Sequence, residues 1–142
     1  MKNPVALGFT AVFGVNPGYA HANGLPENVF AAAIVAAAWQ KSVEEEFAST
    51  KCHIGAAVSD CRVVYNSAWG CPPDGEVAAV VAGNSNAKFE SDLAAYKAAV
   101  VRVVAATKRL LSQERVQIAF HEVPTFVYLE PEGSGGEQKF GE

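Results

Sequence analysis

The segment from Phe89 to Leu111 carries the longest unbroken periodic pattern in the chain, and it restricts the folds open to the rest. Phe89, Leu93, Tyr96, Val100, Val103, Val104, Thr107, Leu110 and Leu111 recur at helical spacing. On a helical wheel they fill one stripe roughly 120° wide, the width of a face that packs on a sheet. The other side is mostly alanine (Ala94, Ala95, Ala98, Ala105, Ala106), with Ser91, Val101, Arg102 and Arg109 among them. A solvated helix face carries more charge than that. Small residues let a second backbone approach closely, so the pattern predicts a helix that packs on a sheet with one face and meets another helix or subunit with the other.

A second pattern lies near the N-terminus. Val5, Leu7, Phe9, Ala11, Phe13 and Val15 alternate with Ala6, Gly8, Thr10, Val12 and Gly14, large against small. That period of two predicts a strand over Val5–Val15. Lys2, the apolar run and Ala20-His21-Ala22 also imitate a secretory signal with its cleavage site. The alternation favours the strand, because a signal core needs apolar bulk without a period.

The loop 16–24 is rich in turn formers, and Pro26 with Glu27 suits the first turn of a helix. That helix runs from about Pro26 to Ala48. Val29, Ala32, Val35, Ala36, Trp39, Val43 and Phe47 share one face, and Phe30, Ile34 and Ala37 the opposite one. It therefore reads as buried on both sides at its start. Cys52–Val58 and Cys61–Tyr65 are strand-like, with Ser59-Asp60 as a bulge or tight turn between them. A loop follows over Asn66–Gly75, then a buried strand over Glu76–Ala82. Gly83-Asn84-Ser85-Asn86 offers cap residues for the long helix. Arg115–Leu129 is the last strand, interrupted at Pro124. Gly133-Ser134-Gly135-Gly136 has linker composition, so residues 131–142 read as a flexible acidic tail after a single domain over 1–130.

The order is β-α-β-β-α-β. Its simplest realisation is an α+β ferredoxin-like sandwich, two helices on one face of a four-stranded antiparallel sheet. The sheet's other face and the alanine-rich helix face then invite self-association, with a homodimer as the simplest case.

Composition removes several functions. Net charge is −4, and the segment from Glu130 to Glu142 holds −3 of it. A nearly neutral body with no basic cluster argues against nucleic acid. No segment is long and apolar enough to suggest a membrane span. Three cysteines without a Cys-x-x-Cys pair suit a reducing, cytoplasmic setting better than a disulfide scaffold. Gly-x-Ser-x-Gly, His-Glu-x-x-His and Gly-x-Gly-x-x-Gly are absent, and no cofactor or metal site is called for.

The topology puts the loops after the first and second strands on one edge of the sheet. The first holds Tyr19, His21 and Asn23; the second, entered at Tyr65, holds Trp69, Cys71 and Asp74. Loops on a rigid scaffold are where binding groups sit. His21 is the candidate general acid or base, and Cys71 a nucleophile if His21 lies within hydrogen-bond reach. The plainer alternatives are a surface histidine and a small hydrophobe that locks its loop. Trp69 is either a stacking platform or a loop anchor. His121 should face the open side of the sheet with Gln117, lining an interface or a cavity. These residues suggest a small-molecule-binding homo-oligomer with a cleft at that edge. The alternative is a structural or interaction module without catalytic activity.

Overall fold

The computed structural model describes residues 3–16 and 30–141. Its frame is set by β1, Ala6–Gly14, which pairs on both sides. Antiparallel partners are β3, Glu76–Asn84, on one edge and β4, Ile118–Val123, on the other. β2, Ala57–Val63, adds outside β3. The sheet order β2-β3-β1-β4 with α1 (Ala31–Thr50) after β1 and α2 (Leu93–Leu110) after β3 is the ferredoxin-like arrangement.

Strand alternation decides what each face carries. Phe9 and Phe13 of β1 are fully buried and meet Trp39 of α1, Phe9 stacked at 5.7 Å between ring centroids and Phe13 edge-on at 6.4 Å. Tyr96 of α2 closes on Phe9 from the other side, at 6.5 Å. Val81 and Ala79 of β3 complete this inner layer. Residues paired across an antiparallel ladder share a face. Thr10, Val12 and Gly14 therefore lie with Ala82, Val80 and Ala78 on the outer face. Ser85 finishes the β1–β3 ladder: its hydroxyl accepts from Leu7 N–H and its own N–H donates to the Leu7 carbonyl, both at 2.9 Å.

The helices meet along a polar seam. Thr107 Oγ1 donates to Ser42 Oγ at 3.0 Å, and Ser42 donates to the Ala38 carbonyl. One turn on, Arg102 forks onto Glu46, Nε to Oε1 at 3.0 Å and Nη2 to Oε2 at 2.9 Å. The guanidinium holds the Glu46 carboxyl below the usual carboxylate range against the opposing effect of burial, and the Thr50 hydroxyl adds to this.

Several boundaries differ from expectation, each for a local reason. The long helix starts at Leu93, because Asp92 rather than the Gly83–Asn86 stretch supplies its cap, accepting from Ala95 N–H at 3.0 Å. Phe89 thus lies outside the helix and is 67% exposed. The buried stripe of α1 is Ala31, Val35, Trp39, Ser42 and Glu46; Phe47 and Phe30 are exposed, since α2 covers the seam side and nothing described covers the other. β2 is one continuous strand, with no bulge at Ser59-Asp60. Asp60 faces the helices there and accepts from Ala32 N–H at 2.8 Å, capping α1 from a distant strand. Beyond Pro124 the chain leaves the sheet. Phe126–Leu129 forms β5 and pairs with β6, Glu137–Phe140, so the glycine stretch makes the turn of a hairpin.

Two expectations follow from this packing. A Cβ on Gly83 would run into the Gly55 carbonyl oxygen and press on the Phe9 ring. Gly83→Ala should destabilise the fold by about 1–3 kcal/mol, read as a lowered urea midpoint. The Glu46 contribution has a depressed carboxyl pKa, so it is present above the unfolded value of about 4.3 and lost as pH falls through the folded one. Glu46→Gln should therefore be less stable than wild type at neutral pH, with the gap closing in urea titrations below about pH 4.

Candidate functional site

Four segments converge at the edge where β1 and β2 end and β3 begins. The register places Gly14 opposite Ala78 and Val63 opposite Glu76. The polypeptide leaving α2 runs past them: Gln113 Nε2 donates to the Asn16 carbonyl at 2.8 Å, which ties the helix exit to the end of β1. Together they line an open cavity of about 560 Å³ on the outer sheet face. That is within the size range of small-molecule sites.

Its floor is made of small and β-branched outer-face residues, Thr10, Val12 and Ala78, with Val63 at the side. Gly14 matters here because a Cβ would press on the Gln113 side-chain oxygen, so a bare backbone leaves room for that amide. The ionic groups come from the rim. Glu76 opens β3 with its side on the outer face, while its neighbour Val77 pairs with Arg62 on the inner one. Glu114 and Arg115 follow the helix exit, and Gln117 comes just before β4. Two carboxylates and one guanidinium around an apolar floor suit a ligand that carries charges of both signs.

The residues singled out from the sequence fall into three groups. Tyr19, His21 and Asn23 lie outside the described residues. Tyr65 and Cys71 are brought together: Tyr65 N–H donates to Cys71 Sγ, and the thiol donates to the Pro72 carbonyl, both at 3.4 Å. That is the geometry of a loop lock. Trp69 sits in a 3-10 turn, Ser67–Trp69, and is 81% exposed. Asp74 occupies a left-handed turn position, φ 67°, before Gly75. His121 is on the outer face opposite Gly8, whose missing Cβ leaves space for the imidazole and the Asn84 amide. It is at the other end of the strand from Glu76, about 26 Å away at strand rise, and does not line the cavity.

The sequence reading places a cleft at this edge but does not name Glu76, Glu114 and Arg115, which line the cavity there. The run Gln113-Glu114-Arg115 reads as an ordinary polar helix exit. Its function-like signal is position, which needs the register of β1 against β3 and β4.

A family model described as SAM lyase matches residues 5–130. Comparison with curated proteins and with solved structures returned no match. The matched span runs from β1 through β5 and includes every described residue that lines the cavity. On that match the chain belongs to the SAM lyase family.

Proposed function

We propose that this chain cleaves S-adenosylmethionine at a carbon–sulfur bond, with the outer-face cavity as its site. The observation that carries the reading is the family match over residues 5–130. The cavity's chemistry supports it. The substrate bears a sulfonium, an ammonium and a carboxylate, and the rim offers Glu76, Glu114 and Arg115.

A lyase breaks the bond without water. The route that asks least of a protein is internal: the substrate's carboxylate oxygen attacks the carbon next to sulfur, a five-membered lactone closes, and the bonding pair leaves on sulfur. The sulfonium becomes a neutral thioether, and no proton moves. Holding the carboxylate behind that carbon converts orientation into rate. The two reacting charges vanish together, so tight ionic contacts to them would slow the step. The rate gains from gripping the ammonium, which keeps its charge, while Val12, Val63 and Ala78 wall the reacting bond and exclude water. Glu76 and Glu114 suit the first task; Arg115 draws the carboxylate in at the rim and must release it before the bond forms. This route needs no general base and no thiol, so it does not call on His21 or Cys71.

The same reading includes self-association. Thr10, Val12 and Val80 are half-buried on a face with no described helix over it, and a second copy laid there would close the cavity. Sedimentation equilibrium should then give a multiple of 14.9 kDa. Three unpaired cysteines suit a reducing compartment such as the cytoplasm.

The test is direct incubation with S-adenosylmethionine, followed by chromatography and mass spectrometry. Methylthioadenosine and homoserine lactone should appear in equal amounts. Glu76→Gln, shown to be folded by circular dichroism, should lower kcat/KM by about 100-fold. A folded wild-type chain that leaves the substrate intact would return the protein to the class of interaction modules.

A further inference from the structure

A second, smaller cavity of about 290 Å³ lies on the opposite side of the molecule's sheet, between the exit of α1 and the start of α2. Lys51, Cys52 and His53 line it from the α1–β2 connection, and Glu90, Asp92 and Tyr96 from the α2 side. None of these residues lines the outer-face cavity.

Two of its polar atoms are unsatisfied. Tyr96 is 1% exposed, and its hydroxyl has no hydrogen-bond partner. Glu90 Oε2 is buried and equally without one. Native structures rarely leave such atoms unmatched, and each costs about 1–3 kcal/mol when they do. Burial pushes the Glu90 carboxyl up to about 7, and pushes the Tyr96 hydroxyl up as well, with the Glu90 and Cys52 charges adding to the latter. The nearby bases are engaged elsewhere. Lys51 sits over the Phe47 ring at 5.3 Å, Lys88 pairs with Glu130, and Arg102 is held by Glu46. Asp92 is occupied as the α2 cap.

The cavity thus offers a half-buried acid with one buried oxygen and a buried hydroxyl, while its one lining lysine, Lys51, lies over the Phe47 ring. A metal ion is a poor match, since no group of three or more His, Cys, Asp or Glu side chains among the described residues is placed to hold one. A guanidinium prefers a carboxylate with both oxygens open to a planar fork. A compact donor reaching two single acceptors is a primary ammonium. We propose that this cavity binds a small primary ammonium ion, with the Glu90 carboxylate as counter-charge and Tyr96 Oη accepting a second N–H. The site is independent of the lyase reading and stands or falls separately.

The experiment is an amide NMR titration of the full chain at pH 8 with ethylammonium chloride. Tetramethylammonium chloride, which has the charge but no N–H, and sodium chloride serve as controls. Ethylammonium should give saturable shifts confined to residues 50–53 and 89–96. At pH 5.5, where Glu90 is protonated, binding should weaken about tenfold or more. Glu90→Gln should abolish binding and with it the pH dependence; Tyr96→Phe should weaken it severalfold. Shifts that do not saturate, that tetramethylammonium reproduces, or that persist in Glu90→Gln would overturn the proposal. If Glu90→Gln loses its native spectrum, Tyr96→Phe decides: unchanged ethylammonium affinity there overturns it too.

Discussion

Everything in this fold leans on β1 being paired along both edges while its two faces do different work. Its inward residues are large and aromatic, and Phe9 alone contacts Trp39 from one helix and Tyr96 from the other. Its outward residues are small, so the same strand that anchors the core also leaves a shallow floor on the other side. A one-residue slip would put Phe9 on that floor and Gly8 in the core, destroying both at once. Core stability and cavity shape are thus set by one alternation, and neither can be altered without the other.

The helices are held to each other by a different kind of contact. The Ser42–Thr107 and Glu46–Arg102 seam is polar and specific in register, whereas the aromatic layer beneath it is not. Apolar packing brings α1 and α2 onto the sheet; the seam sets how far each is turned. This explains why Ser42 and Glu46, polar residues, fall in the buried stripe of α1 while Phe47 does not.

The four strands of the main sheet, the two helices and their order were legible because burial imposes periods of two and 3.6 on the sequence; the β5–β6 hairpin was not. Leu7, Phe9 and Phe13 against Gly8 and Gly14 identify a half-buried strand without any structure. The long helix was legible in its body and misread at its start. Phe89 is in phase with the stripe, yet the helix begins only after Asp92, three residues later, which accepts from Ala95 N–H as its N-cap. The role of Asp60 as a cap for α1 has no local signature, since its partner is 28 positions away. The cavity rim was hidden for the same reason. Glu76 and Arg115 become neighbours of one space through strand register and a helix exit, and charge patterning along the chain contains neither.

The C-terminal hairpin is fastened to the short segment that precedes α2. Tyr128 packs edge-on against Phe89 at 6.0 Å, Lys88 lies 5.8 Å from the Tyr128 ring centroid, and Lys88 pairs with Glu130. That segment adjoins Glu90 and Asp92, so Tyr128 and Glu130 act as a splint on the mouth of the smaller cavity, remote from the core. A chain shortened before β6 would keep its sheet and its aromatic layer. It would leave β5 without its ladder partner, and loosening would reach Lys88 and Phe89 through Tyr128 and Glu130. Whatever occupies the smaller cavity and whatever touches the hairpin therefore share a lever, though no residue of β6 lines that cavity.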